Sequence, residues 1–289
     1  MHVGNAFSAL QCQQWADTHQ AQLLLRIEDI DFTRCKASYA QAIIDDLRWL
    51  GIHFEPHIRY QSQHLETYQI ALSQWQEQGL IYPCFCTRKD IQQSQHHQIH
   101  HIGGDALSDT YPGTCRDIAA SQRKRLMQEK PFAWRLDIQQ AQQHLPTELF
   151  WIDACSRRHM VDIPSLGDFI IARKDIGISY HLAVVIDDAL QSITHVIRGQ
   201  DLFSSTAIHR LLQALLNLPS PIYQHHALIQ DINGKRLAKR NQSTTLRSLR
   251  KAGLSPNHLQ HFLQQEPYIW PFEHHAQAAK IAEQLGSYA

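Results

Sequence analysis

Leu23-Leu24-Leu25-Arg26-Ile27 runs directly into Glu28-Asp29-Ile30-Asp31. A short, mostly apolar run without alternation is the pattern of a strand buried in a parallel sheet, and the acids that follow mark its end. Before it, residues 6–19 read as a helix with Phe7, Leu10 and Trp15 on one face. After it, Tyr39, Ile43, Ile44, Leu47 and Leu50 form the stripe of a helix over 38–50, with Ser38 as N-cap and Gly51 as C-cap. A further helix over 62–78 places Tyr68, Leu72 and Trp75 together ahead of Gly79. Residues 132–138, 169–172, 183–186 and 193–197 read as strands. From Asp201 a helix presents Ile208, Leu211, Leu212, Leu215 and Leu216 to a core. Strands alternating with helices predict an α/β fold, whose ligands bind beyond the carboxyl ends of the strands. That rule points to the turn before the first helix, to residues 28–31 and to residues 198–201.

The 289 residues are 43% hydrophobic and 19% charged, enough apolar material to exclude wholesale disorder. No run approaches the roughly 18 apolar residues of a membrane span, and the start has no basic signal-peptide region, so an unprocessed cytoplasmic chain without a membrane partner is expected. Lys and Arg (27) balance Asp and Glu (27), so net charge advertises no nucleic-acid binding. The 20 histidines devalue any single one as a signal. The six cysteines do not suggest a disulfide framework. Residues 82–116, rich in Cys, His and Gly, look like a small inserted module, and the part from 242 onward is polar and helical.

Three strings carry chemistry. His2-Val3-Gly4-Asn5 stands at a helix entry, where free N–H donors and the dipole favour an anion and Gly4 admits close backbone approach. A frayed terminus is the plainer meaning. Gly234-Lys235-Arg236-Leu237-Ala238-Lys239-Arg240 suits a mobile loop over a polyphosphate, or else a solvated basic turn. Between residues 235 and 251 lie the cations Lys235, Arg236, Lys239, Arg240, Arg247, Arg250 and Lys251 and no acid, a surface suited to phosphates. Cys84 and Cys86, followed by Cys115, offer three thiolates for a tetrahedral Zn²⁺ with one position open. His96, His97, His100 and His101 lie in the same stretch. The alternative is three reduced cysteines in an apolar patch.

The His-x-Gly-x helix start and the late basic loop together resemble the paired signatures of class I aminoacyl-tRNA synthetases. Leu24-Leu-Arg-Ile-Glu-Asp-Ile-Asp31, Tyr180-His-Leu-Ala-Val-Val-Ile-Asp-Asp188 and Ile193-Thr-His-Val-Ile-Arg-Gly-Gln-Asp-Leu202 resemble the glutamate-specific members. The likeness runs from His2 to about Gln242. It is most similar to the shortened paralogues that attach glutamate to queuosine in tRNA(Asp). A large C-terminal anticodon-binding region is absent, Asn5 replaces the second His of the signature, and Tyr82-Pro-Cys-Phe-Cys86 with Tyr111-Pro-Gly-Thr-Cys115 resembles their zinc site.

The resemblance implies a Rossmann-like parallel sheet with an inserted, zinc-containing acceptor-type subdomain and a short helical C-terminal part. On this chain that means catalytic halves at 1–81 and 166–241, a zinc subdomain at 82–165 and a helical region at 242–289. It implies a monomeric, glutamyl-adenylate-forming ligase using L-glutamate, ATP with Mg²⁺, and tRNA(Asp) carrying queuosine. His2, Gly4, Asn5 and Lys239 would hold ATP, with His2 and Lys239 catalytic. Glu28 would meet the amino group of glutamate, Tyr180 its body and Arg198 a carboxylate, where a planar guanidinium is the natural partner. Read singly, these three are a solvated carboxylate, a core aromatic and a surface ion pair. Structural zinc would sit on Cys84, Cys86 and Cys115, with Tyr111 as the fourth ligand or a histidine of 96–101 in its place. The family loop usually reads Lys-Leu-Ser-Lys-Gln-Asn, and Ala238 here lacks its hydroxyl. An ordinary glutamyl-tRNA synthetase and a non-catalytic synthetase-like zinc protein are the rival readings. Relatives also carry an Arg-x-Ala-Pro-Ser-x-x-Gly strand and loop before the His-x-Gly-x turn, where this chain has only Met1. A weakened sheet, a dangling His2, low stability and weak or no activation of glutamate are therefore expected.

Overall fold

The computed structural model describes residues 1–95, 111–174, 177–231, 234, 237, 245–266, 268–272 and 277–286. The helices in chain order are α1 (Val3–His19), α2 (Ala37–Trp49), α3 (Leu65–Glu77), α4 (Arg88–Gln95), α5 (Ala120–Glu129) and α6 (Ile138–Gln142). Then come α7 (Ile163–Leu166), α8 (Tyr180–Leu190), α9 (Ser205–Leu215), α10 (Leu246–Lys251), α11 (Pro256–Leu263) and α12 (Ala278–Gly286). The strands are β1 (Arg26–Ile27), β2 (Arg59–Tyr60), β3 (Ile81–Cys84), β4 (Ala133–Leu136), β5 (Phe150–Ile152) and β6 (Arg158–Met160). They are followed by β7 (Ile170–Ala172), β8 (His195–Gly199), β9 (Ile222–His226), β10 (Gln230–Asp231) and β11 (Ile269–Trp270). No described helix is long and apolar enough to cross a membrane.

The chain divides into two compact units. The first comprises Met1–Tyr60, Ile197–Leu202 and Gln224–Ala289. Its core gathers Val3, Ala6, Phe7 and Leu10 of α1 with Leu47 of α2, Leu249 of α10, Leu263 of α11 and Ile281 of α12. The spacing 3, 6, 7, 10 explains why Trp15 is not part of that face: five residues beyond Leu10, it lies about 140° around the helix. It stacks instead on His19, ring centroids 4.1 Å apart. Helix α2 starts at Ala37 with Lys36 as its N-cap, two residues earlier than a Ser38 cap requires. Its C-terminal signal holds, since Gly51 takes φ +69 and donates its N–H to the Arg48 carbonyl.

The expected parallel sheet is present as short pairs. β1 and β2 run parallel, pairing Arg26 with Arg59 and Ile27 with Tyr60, and β10 runs parallel to β11. Of the predicted strand at 23–27 only the last two residues form a ladder, and Leu23 to Leu25 are half-buried. Outside that ladder the Leu23 carbonyl accepts from Glu55 N–H at 2.9 Å and the Leu25 carbonyl from Arg59 N–H at 3.4 Å. His2 does not dangle. It bridges to Thr245 in antiparallel fashion, Leu246 N–H donates to the Met1 carbonyl, and the Met1 ammonium pairs with the buried Asp46.

The second unit comprises Gln61–Val196 and Phe203–Tyr223. β3, β4 and β7 form an antiparallel sheet, and β5 pairs antiparallel with β6. Tyr68, Leu72 and Trp75 of α3 are buried together, as their spacing predicts. The strand expected at 183–186 is instead the middle of α8, in which every residue from Leu182 to Asp188 is buried. The Ser179 hydroxyl caps that helix by accepting from Leu182 N–H at 3.3 Å. A cap and complete burial outweigh the modest helix aversion of Val184, Val185 and Ile186. The buried Asp187 accepts from Tyr68 Oη at 2.8–2.9 Å and from Gln61 Nε2 at 2.9 Å.

One buried carboxylate ties this unit together. Asp168 Oδ2 accepts from the Tyr82 hydroxyl and from Arg116 Nε (2.9 Å) and Nη2 (2.6 Å), while Oδ1 accepts from Ile138 N–H at 3.0 Å. The Asp168 carbonyl in turn accepts from Arg135 Nη1 at 2.6 Å. Burial and the adjacent carboxylate push the Tyr82 phenol far above its ordinary range, so it stays a donor.

Candidate active site and three-cysteine cluster

In the first unit a cleft of about 330 Å³ opens at the entry to α1. His2, Gly4, Asn5 and Ser8 line it from the helix, Arg198, Gly199 and Asp201 from the turn after β8, and His226, Leu228 and Leu237 from the end of β9 and beyond. The His2 ring is fixed as the cap of α1, its Nδ1 accepting from Asn5 N–H at 3.3 Å. With Nδ1 as acceptor, the proton of a neutral ring sits on Nε2. A Cβ added to Gly4 would lie 3.0 Å from His2 Cε1 and 3.2 Å from Nδ1, so a larger residue presses on that ring. The same Cβ would lie 3.8 Å from the Leu237 carbonyl oxygen. Leu237 of the late basic string, more than 230 residues on in sequence, therefore stands beside the helix start.

Arg198 is buried, and its Nε donates to His225 Nε2 at 3.3 Å. Gly199 has no room for a side chain: a Cβ there would sit 2.5 Å from Asp201 Oδ1 and 2.7 Å from Leu228 Cδ2. Of the residues singled out from sequence, the cleft thus brings together His2, Gly4, Asn5 and Arg198. Glu28 is not among its lining residues; it is exposed and lies 3.7 Å from the Arg26 guanidinium. Tyr180 opens α8 in the second unit, its ring beside His181 and His209. Lys239 lies outside the described residues, as do Lys235, Arg236, Ala238, Arg240, Asn241 and His96, His97, His100 and His101. Sequence reasoning missed Ser8 and His226. Ser8 could have been found, because it follows Gly4 by four residues and so shares its helix face.

The cysteine cluster is in the second unit. The thiol sulfurs of Cys84, Cys86 and Cys115 all lie within 4.8 Å of one another. Cys86 Sγ is 3.5 Å from Cys115 Sγ and 3.5 Å from the Tyr111 hydroxyl. That hydroxyl accepts from Cys115 N–H at 2.9 Å. Tyr82, Cys84, Tyr111 and Cys115 form a small buried core, and the Arg135 guanidinium lies 3.8 Å over the Tyr111 ring. Hydrogen bonding from Cys115, then from Tyr111 and Arg135, outweighs burial and holds the Cys84 thiol down to about 4. Cys115 and Tyr111 are pushed up: the first chiefly by sharing a proton with Cys84, the second chiefly by burial.

The family model described as "tRNA synthetases class I (E and Q), catalytic domain" matches residues 1–280. The glutamyl-Q tRNA(Asp) synthetase of Rhodobacter capsulatus is 40% identical over 262 residues, which cover 89% of this chain and 92% of that relative. The protein of the same name from Albidiferax ferrireducens is 38% identical, over 85% of this chain and 82% of its own. Among solved structures, a glutamate tRNA ligase from Elizabethkingia meningosepticum superposes with a TM-score of 0.70 at 21% identity, covering 98% of this chain and 62% of that one. The glutamate-tRNA synthetase of Elizabethkingia anophelis gives 0.66 at 24% identity, covering 83% and 50%. The chain thus spans about half to three-fifths of the length of these structural neighbours, and their likeness establishes an α/β, Rossmann-like fold. The chain belongs to the class I tRNA synthetases for glutamate and glutamine, a family of aminoacyl-tRNA synthetase-type ligases, and within it to the glutamyl-Q tRNA(Asp) synthetases.

Proposed function

We propose that this protein activates L-glutamate with ATP and transfers it to queuosine in the anticodon of tRNA(Asp). The observation that carries the reading is the cleft at the α1 entry, where His2, Gly4 and Asn5 meet Arg198 and Leu237. In the first step a glutamate carboxylate oxygen bonds to the α-phosphorus of ATP while the bond to the pyrophosphate oxygen breaks. Such transfer is governed by positioning and charge stabilisation. The N–H groups of Val3 and Gly4, ahead of the Asn5 and Ala6 N–H groups that donate to His2, take phosphate oxygens. His2, its Nδ1 engaged as the cap, turns an Nε2–H donor toward charge developing on the phosphates. Lys239 adds a cation from the late loop, and Mg²⁺ bound with ATP neutralises phosphate charge. Arg198 pairs with the glutamate carboxylate, with Glu28 assigned to its amino group and Tyr180 to its body. In the second step a hydroxyl of the queuosine cyclopentenediol takes the glutamyl group and AMP leaves. Arg247, Arg250 and Lys251 of α10 offer cations to the RNA backbone. The reading takes the protein as a monomer, in the cytoplasm with its tRNA.

An ordinary glutamyl-tRNA synthetase would use the same cleft. Charging assays with queuosine-containing tRNA(Asp) and with tRNA(Glu) separate the two. The proposal expects glutamate on queuosine-containing tRNA(Asp) and none on tRNA(Asp) that lacks the queuosine diol; charging of tRNA(Glu) alone overturns it.

Gly4 provides a test with opposed signs. Ala at this helical position gains up to about 1 kcal/mol of helix propensity over Gly. Its Cβ also displaces the His2 ring. Gly4→Ala is expected to leave the melting temperature unchanged or raised while lowering kcat/KM for ATP about tenfold, equivalent to about 1.4 kcal/mol. Stability and kinetics measured on the same preparation check this, and unchanged kinetics remove His2 from the phosphate site.

The cysteine cluster fits zinc. Thiolates about 2.3 Å from a tetrahedral ion lie about 3.8 Å apart, and the three sulfurs here already fall within 4.8 Å. Cys84, Cys86 and Cys115 would hold the ion, with Tyr111 oxygen in the fourth position; the bound metal would cross-link β3 to the segment around Cys115. Untagged protein is expected to carry about one zinc per chain. Cys84→Ser should lose it, and Tyr111→Phe should weaken retention more than His100→Ala, all read by metal analysis. Protein without zinc, or the reverse order of the last two, contradicts the assignment.

A further inference from the structure

Ser8 and His226, 218 residues apart, form a hydrogen-bonded pair in the wall of the cleft, with Oγ and Nε2 separated by 2.9 Å. The direction of that bond follows from the other side of the ring. His226 Nδ1 lies 2.8 Å from the Ala227 carbonyl oxygen, which can only accept, so Nδ1 carries a proton. His226 is buried, and burial pushes its pKa below the ordinary value despite the Ala227 bond and the nearby Asp201. The ring is therefore neutral, and Nε2 is a lone pair that must accept. The single hydroxyl proton of Ser8 is committed to it. What Ser8 presents to the cleft is oxygen lone pairs alone, a fixed acceptor at a half-buried position.

We propose that Ser8 is a specificity residue that accepts a hydrogen bond from a ribose hydroxyl of the nucleotide, with His226 as the residue that fixes its polarity. This rests on the reading of the cleft as an ATP site. Gly4 and Ser8 lie on one face of α1, about 6 Å apart along its axis. A ligand with its α-phosphate at the Gly4 end carries its ribose a comparable distance away. A second acceptor, Asp201, lines the same cleft, and two acceptors match the vicinal diol of a ribose. An ammonium group is the other donor that such lone pairs could take, and the α-amino group of glutamate would supply it.

The test compares ATP, 2′-deoxy-ATP and 3′-deoxy-ATP on wild-type full-length protein, Ser8→Ala and Ser8→Thr. Both equilibrium binding and pyrophosphate exchange are read. Wild type is expected to prefer ATP over one of the two deoxy analogues by about tenfold, the scale of one hydrogen bond. Ser8→Ala should lose that preference by weakening ATP alone, with KM for glutamate within about twofold, and Ser8→Thr should keep it. His226→Phe, which leaves the Ser8 proton without its acceptor, should erase the preference while Ser8 is still present. An undiminished preference in Ser8→Ala overturns the proposal, as does a loss that appears in the KM for glutamate instead. The binding arm needs no turnover. If wild type binds ATP with this preference yet catalyses no glutamate-dependent exchange, Ser8 keeps its role and the glutamate reading fails.

Discussion

Arg198→Ala is expected to raise the glutamate concentration needed for half-maximal pyrophosphate exchange by more than an order of magnitude. Leaving a substrate carboxylate without its charged partner costs about 2–5 kcal/mol. The residue is buried in the wall of the cleft, and its Nε bond to His225 fixes the plane of the guanidinium. Arg198→Lys should recover little, because a point charge on a flexible stem does not reproduce a held, planar fork. ATP binding should change far less, since the phosphates are assigned to the entry of α1. Titrating glutamate at saturating ATP, and ATP at saturating glutamate, reads both halves. An unchanged glutamate dependence removes Arg198 from the site.

Asp168→Ala is expected to lower the unfolding free energy by about 3–5 kcal/mol, the range for removing one partner of a buried charged pair. The carboxylate accepts from Tyr82, Arg116 and Ile138 N–H at once, so its loss strands donors from β3, from the segment after Cys115 and from α6. Tyr82 stands two residues before Cys84 on the same strand. The variant should therefore also retain zinc less well. Urea unfolding with metal analysis on the same samples is the check. A loss below about 1 kcal/mol would mean that Arg116, which is partly exposed, is simply rehydrated.

Local periodicity made much of the fold legible. The 3.6-residue stripes of α3 and α9 and the apolar runs of β4 and β7 stand where their residues predicted. Residues 183–186 misled because β-branched content was weighed without the burial on all sides that α8 finds in its unit. Leu23 to Leu25 misled for the opposite reason: an apolar run has the composition of a buried strand whether or not a neighbour completes its ladder. In the site, His2, Gly4 and Asn5 could be read because glycine beside a helix start has a local meaning, and Arg198 because it closes a strand. The cysteine cluster was legible from ligand type and spacing. Ser8–His226 and Arg116–Asp168 were not, since each pair is separated by 52 or more residues and only tertiary structure brings them together. Among 20 histidines, nothing local distinguishes His226.

Glutamate-dependent exchange of labelled pyrophosphate into ATP tests the central claim most directly, because only a working adenylation site returns pyrophosphate to ATP. Because His2 is held by its bridge to Thr245 and by capping α1 instead of dangling, the 289-residue chain with ATP, Mg²⁺ and L-glutamate is expected to incorporate label, at a rate that falls when Arg198 is replaced by Ala. Absence of exchange in well-folded, zinc-loaded protein, or exchange that proceeds equally without glutamate, would contradict it.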